Sequence, residues 1–443
     1  MQSKPVEHQD VPIPFVGRSL RCLVGKLEES QHDLIFYDIL DPPETYDTLL
    51  QTLAYAAPLK AKPLESPWTT RVFSERYSSN LAVRKKYKPV DCKVRPVPSF
   101  MPDPSRQVFK RVEIPELPAL PFESTMLTRF EPTEQITLER LEVMLKTIPE
   151  GFFSSHELDL LVFIIRNREA AIAFTDAERG TFSRKYFLDY QIPIIEHTPW
   201  VQAPIRIPKA IEDTVRKMLI EQQDAGKYEY LTVSYRSQIF PVTKKSGLRV
   251  VHDVQELNKV TIQDSALPPQ VDNFAENHVG HVIYGLADLF SGYDGRILAV
   301  ESRPLTTFNS LIGPNRLTVL PQGAMNLVPE FQRCTIHTLD EDSPQNSDAF
   351  IDDITVKGPT MNYDDKELAP GLRRFVYKYL TTLDRILMRF ITTGIMVSGW
   401  KFVLETPKLG IVGTTVSKEG WHLSHGLANK ILKWPEPVCI TDV

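Results

Sequence analysis

The sequence predicts a mixed α+β fold, preceded by a proline-rich stretch and a short helical one. Three observations carry that prediction. The 35 prolines outnumber the 20 glycines and crowd into the first half of the chain, which marks an extended region followed by a compact one. Helix-period apolar spacing recurs at 137–148, 208–225 and 373–389. Between and beyond these lie short apolar runs bounded by turn residues, the pattern of strands. A chain of 443 residues is expected to form two or three domains. We divide it into a Pro-rich and basic region over 1–130, a small helical unit over 131–195 and a larger domain over 196–443.

The elements follow in order. Residues 1–55 hold short mixed segments, Arg21–Leu27 and His32–Ile39, that suggest no function. From Ala56 to Pro121 proline alternates with basic residues. The run Arg84–Lys88 continues through Lys93 and Arg95 to Lys110 and Arg111. Such a stretch is either a solvated linker or a strap lying across another domain, with its charges free to meet phosphates. Thr137–Ile148 places apolar residues 138, 141, 144, 145 and 148 on one helix face. Ser154 with Glu157, and Thr175 with Glu178, have capping-box spacing. Pro208–Ala225 aligns Ile211, Val215, Met218 and Leu219, with Pro208 suited to the first turn and Gly226 to the exit. Ser237–Thr243 and Leu248–Val251 read as strands. The acidic stretch Asp340–Asp348 and the segment Pro359–Pro370 read as loops, the first on the surface, and Arg373–Arg389 as an amphipathic helix.

Bulk properties narrow the function less. The chain is 42% hydrophobic and 24% charged with a net charge of −5, so any nucleic-acid groove must come from local placement of charge. Cys22, Cys92, Cys334 and Cys439 are far apart and form no C-x-x-C pair, which argues for reduced thiols and against a zinc site. No apolar run reaches the ~18 residues of a membrane span, and no signal-peptide pattern opens the chain. A soluble intracellular protein with no membrane partner is expected.

Chemistry concentrates in two places. In Val282–Tyr293 an apolar run ends in Asp288 and then Ser-Gly, as a buried strand delivering a carboxylate to its exposed end. In Asp348–Lys357 the pair Asp352-Asp353 interrupts an apolar alternation. This predicts a hairpin whose tight turn holds both carboxylates, with Phe350 and Ile354 packing on either side. Adjacent carboxylates repel and call for a cation, and Mg²⁺ suits a few carboxylates with phosphate and water. Three carboxylates about two metals roughly 3.5–4 Å apart are the arrangement of nucleotidyl transfer. An isolated Asp-Asp pair is equally a solvated turn; its company distinguishes the two.

That company is a set of motifs in fixed order. Asp288-Leu-Phe-Ser-Gly-Tyr-Asp resembles the first catalytic motif of gypsy-type reverse transcriptases, and Leu320-Pro-Gln-Gly-Ala-Met-Asn-Leu-Val-Pro-Glu-Phe331-Gln332 the next. Phe350-Ile-Asp-Asp resembles their Tyr-x-Asp-Asp box, Lys244–Lys259 their fingers motif and Ile411–Gly420 their primer-gripping segment. The resemblance spans about Ile195 to Lys433; His252-Asp253, Phe350 and Val356-Lys-Gly-Pro look most like elements of fungal genomes.

The resemblance implies a right-hand polymerase fold, with fingers, palm and partial thumb over 196–443. It implies RNA-directed DNA synthesis from dNTPs on a primed RNA or DNA template, with two Mg²⁺ ions for which Mn²⁺ can substitute. Asp288, Asp352 and the carbonyl of Leu289 would hold metal, and Asp353 would complete the cluster. Lys245 and Arg249 would bind the triphosphate, and Tyr293 would exclude a 2′-hydroxyl. Gln322 and Gly323 would meet the nucleotide. Asn258 and Lys259 would hold either the fingers or the template, and Ile411, Val412 and Gly413 the primer.

Three departures stand out. The turn between Lys245 and Arg249 is one residue short, leaving the triphosphate lysine open. Val328 stands where proline is common, and Phe350 where tyrosine is. With no protease motif, no zinc knuckle and an end at Val443, the chain reads as a piece of a polyprotein. Protease, RNase H and integrase would lie elsewhere in the element, and the protein would be cytoplasmic, in virus-like particles, or nuclear. The alternative expectation is an inactive relic, or a nucleic-acid-binding protein derived from one. A viral RNA-directed RNA polymerase is disfavoured by Tyr293.

Overall fold

The computed structural model describes residues 20–25, 34–39, 108–122, 130–244 and 247–434. Two compact units divide the chain, 1–95 and 96–443. In the first, Leu20–Gly25 and Leu34–Ile39 pair as an antiparallel hairpin with Leu20 opposite Ile39. The basic run 84–95 lies outside the described residues, as do Lys245 and Ser246.

The second unit is built on a four-stranded antiparallel sheet. Its order is Ser347–Phe350, Asp353–Lys357, Tyr284–Asp288, Val403–Thr406. Strand alternation sorts its residues. Ile283, Ala287, Ala349, Ile354 and Val356 join one large core, whereas Tyr284, Leu286 and Phe350 belong to a smaller cluster. The large core is closed by the helices Leu327–Leu339 and Arg374–Thr393, the second of which starts and ends close to the predicted Arg373–Arg389. Gly285 lets this helix approach, because a Cβ there would collide with the Tyr379 hydroxyl, which donates to the Leu404 carbonyl.

Residues 131–195 contribute to that same core. Helix Leu138–Leu145 is capped by the Thr137 side chain, and helix Ser155–Asn167 has the predicted Ser154–Glu157 capping box. Leu141, Met144, Leu160, Leu161, Ile164 and Ile165 pack in one cluster with Phe375, Leu380, Leu383 and Ile354. Arg168 grips Asp384 with two hydrogen bonds of 2.8 and 3.0 Å. The two-residue strand Ile172–Ala173 pairs parallel with Val397–Ser398.

Two expectations are corrected here. No capping box forms at Thr175, whose side chain caps nothing; Asp176–Glu178 is a single 3₁₀ turn. Glu178 instead accepts from the Phe174 amide (2.7 Å) and pairs with Arg140 (2.9 Å). The acidic stretch Asp340–Asp348 is a surface loop only in part, with Glu341, Pro344 and Gln345 exposed. Asp342 is buried against Arg385 and Arg389 of the long helix, and Asp348 is buried too.

Residues 108–122 form a strap. Val112 and Leu120 enter the large core, Arg111 pairs with Asp340 and Glu341, and the Leu120 carbonyl accepts from Tyr377.

Around the sheet, helix Glu212–Asp224 sets Val215 and Leu219 against Ile239 and Phe308. The hairpin Ile239–Lys244/Gly247–His252 stands nearby, in the places where strands were expected. At the end, Lys408–Ile411, Thr414–Ser417 and Gly420–Leu423 make a three-stranded sheet followed by helix His425–Leu432. Among the described residues, no helix is long and apolar enough to cross a membrane.

Candidate active site

The carboxylates are gathered by strand register. Asp288, last in its strand, stands directly opposite Asp353, first in the next. Directly opposed residues share a face with Cβ atoms about 4.5–5.5 Å apart, so these two side chains are neighbours on the face away from the helices. The turn between the strands is Ile351-Asp352, since Phe350 pairs with Asp353. Asp352 alone therefore occupies the tight turn, where both aspartates were expected. Its carbonyl accepts from the Leu289 amide at 3.0 Å, tying the turn to the strand end that carries Asp288. Phe350 and Ile354 lie in opposite clusters, as the alternation predicts.

The turn is strained and held. Ile351 has φ +61°, a region that costs a β-branched residue about 1–3 kcal/mol. Gln332, buried on helix Leu327–Leu339, clamps it from below. Its Nε2 donates to the Ala349 carbonyl at 2.8 Å, and its Oε1 accepts from the Ile351 amide at 2.6 Å.

The cluster is electrostatically loaded. Burial, then the charges of Asp352 and Asp288, push the Asp353 carboxyl up to about 6, against an opposing pull from Lys401. Burial and Asp288 likewise raise Asp352. The Lys401 Nζ lies 3.0 Å from both oxygens of Asp288. Among the described residues, no three His, Cys, Asp or Glu side chains stand ready to share one metal ion. The donor chemistry nonetheless fits a divalent cation: hard carboxylate oxygens crowd together with one exposed ammonium offsetting them.

Next to the carboxylates, Tyr293 sits half-buried on the one-turn helix Gly292–Gly295. Its ring packs on Phe331 with centroids 4.6 Å apart; burial, then Asp352, push its hydroxyl up to about 12. Gln322 and Gly323 are exposed on the loop before the Gln332 helix, and Arg249 reaches across from its hairpin to hydrogen-bond Gln322. Asn258 uses both ends of its amide on that loop, donating to the Gly323 carbonyl (3.0 Å) and accepting from the Met325 amide (2.8 Å). Lys259 pairs with Glu256. Ile411 is a core residue, while Val412 (φ +46°) and Gly413 (φ +79°) form the turn of the terminal sheet.

No family model matches the chain. It is 26% identical over 216 residues to the retrovirus-related Pol polyprotein from transposon gypsy of Drosophila melanogaster, an alignment covering 47% of this chain and 19% of that one. Against the Pro-Pol polyprotein of simian foamy virus type 1 it is 25% identical over 247 residues, covering 54% and 19%. The chain thus spans about a fifth of the length of these curated relatives. The solved foamy viral protease-reverse transcriptase in complex with dsDNA superposes with a TM-score of 0.58 at 18% identity, covering 71% of this chain and 61% of that one. This likeness shows the right-hand polymerase fold. The same protein with an RNA/DNA hybrid also gives a TM-score of 0.58, covering 70% and 40%.

In the right-hand polymerase fold this four-stranded sheet is the palm. Two residues at this palm have no role assigned from the sequence. Gln332 had little signal beyond its place at the end of the second motif, because Glu330, Thr335 and Thr338 are polar residues buried on the same helix. Lys401 had none, because nothing local ties it to a strand end 113 residues away.

Proposed function

We propose that this chain is the RNA-directed DNA polymerase core of a retrotransposon polyprotein, extending a primer 3′-hydroxyl with dNTPs. The observation that carries the reading is the pairing of Asp288 with Asp353 across adjacent strands, with Asp352 on the turn beside them. Asp288, Asp352 and the Leu289 carbonyl would hold divalent ions, and Asp353 would balance the charge. When bound, two Mg²⁺ ions, or Mn²⁺ in their place, supply the Lewis acidity that acidifies the 3′-hydroxyl and neutralises the triphosphate.

The chain's own residues position the reactants. Arg249 and Lys245 clamp the triphosphate, the former exchanging Gln322 for phosphate oxygens. The Tyr293 ring, backed by Phe331, closes the space a 2′-hydroxyl would need. Gln322 and Gly323 contact the nucleotide, with Asn258 fixing their loop, and Lys259 would meet the template. Ile411 anchors the hairpin on which Val412 and Gly413 meet the primer. RNA or DNA would be bound mainly through phosphates and therefore salt-sensitively, inside the cell, with the protease, RNase H and integrase of the element as companions.

Purified protein is expected to extend a DNA primer on an RNA template with Mg²⁺ and dNTPs, and Asp352→Asn to abolish the product. Equal behaviour of the two proteins would favour an inactive relic.

A further inference from the structure

We propose that Lys401 is the resident counter-ion of the metal-free carboxylate cluster, from which a divalent ion has to take Asp288. The inference rests on the reading of Asp288, Asp352 and Asp353 as a metal site. The Lys401 ammonium does not graze Asp288; it lies 3.0 Å from each of the two carboxylate oxygens. Either oxygen that a metal uses must first lose this partner.

The way Lys401 is mounted suits an exchangeable cation. Its backbone is fixed. The Lys401 amide donates to the Ser398 carbonyl (3.1 Å), Gly399 to the Ala173 carbonyl (2.9 Å), and the Trp400 indole to the Phe174 carbonyl (2.9 Å). The Trp400 ring also packs edge-on against Phe174 at 5.2 Å, and the following Phe402 is fully buried. The side chain, by contrast, is 66% exposed. A long flexible stem on a rigid turn lets the ammonium leave Asp288 with no cost to the fold, and return when metal departs. Two positive charges cannot share Asp288 favourably, so lysine contact and metal binding are linked with opposite sign.

An exposed ion pair has a small worth, which bounds the effect: removing Lys401 should tighten divalent binding about fivefold at low ionic strength. Because the lysine arm is exposed, salt should weaken its competition.

The test is a titration of the full chain with Mn²⁺ alone, following free Mn²⁺ by electron paramagnetic resonance. Wild type, Lys401→Met, Lys401→Arg and Asp288→Asn are compared at low and high salt. The proposal expects Lys401→Met to bind about fivefold tighter than wild type at low salt, the two to converge at high salt, and Lys401→Arg to behave as wild type. Equal or weaker binding by Lys401→Met, with Asp288→Asn still impaired, overturns the counter-ion role and leaves the metal site standing. If wild type and Lys401→Met bind no better than Asp288→Asn, both the role and the metal-site reading fall.

Discussion

Gln332→Leu tests whether the catalytic turn is held from below. Leucine keeps most of the apolar volume and removes both hydrogen bonds, leaving the Ala349 carbonyl and the Ile351 amide without their partner. An orphaned polar group costs about 1–3 kcal/mol, so a loss of about 2–6 kcal/mol is expected from the two if the turn stays in place. Ile351 offers an alternative. Its φ of +61° stores about 1–3 kcal/mol, and without the clamp the turn can relax and carry Asp352 away. Stability loss then falls toward the lower figure while activity suffers more, since a displacement near 1 Å costs about 10²-fold. Urea denaturation and single-turnover primer extension separate the two quantities. Thr338→Val is the control: it removes a buried hydrogen bond of 2.9 Å to the Cys334 carbonyl on the same helix, away from the turn. It should lose about 1 kcal/mol and extend primers normally. If Gln332→Leu destabilises the protein yet matches Thr338→Val in extension, Gln332 does not position the turn.

Asp353→Asn should stabilise the protein at pH 7.5 in chelator by about 1–3 kcal/mol and leave it unchanged near pH 4. A carboxyl raised from 3.8 to about 6 contributes stability below pH 4 and loses it as pH rises through 6; equal stability of the two proteins at pH 7.5 would contradict the crowding. Tyr293→Val should admit ribonucleotides, raising their relative incorporation about 10²-fold or more, in the range that removal of a steric block allows, as read from product length with rNTPs. Unchanged sugar selectivity would remove Tyr293 from the gate.

The residues that carry chemistry were legible because they sit in short elements with local rules. Asp288 ends an apolar alternation, and the Asp352-Asp353 pair interrupts one, so a period of two and a turn suffice to predict a hairpin. What the local rules miss is register. Asp353 leaves the turn because Ile351 enters it, and an isoleucine at positive φ contradicts its own preference. Gln332, from another element, and the Leu289 amide hold that register in place. The Thr175–Glu178 spacing fails for the same kind of reason: Glu178 has partners in Arg140 and the Phe174 amide. The acidic stretch read as surface because its composition was all that could be seen. Arg385 and Arg389, 43 and 47 residues further on, bring Asp342 inside.

The boundary drawn at residue 196 marks where the motifs begin, and the core does not stop there. Leu160, Leu161, Ile164 and Ile165 share one cluster with Leu380, Leu383 and Ile386 on the helix that backs the palm. A chain started at 196 would leave that helix face without its cover, exposing several large side chains at about 1.5–3 kcal/mol each. It would also lose Ala173 and Phe174, whose carbonyls hold the turn bearing Lys401. The helical stretch carries no recognisable chemistry, yet it sets both the support of the palm and the position of Lys401, the ammonium on Asp288.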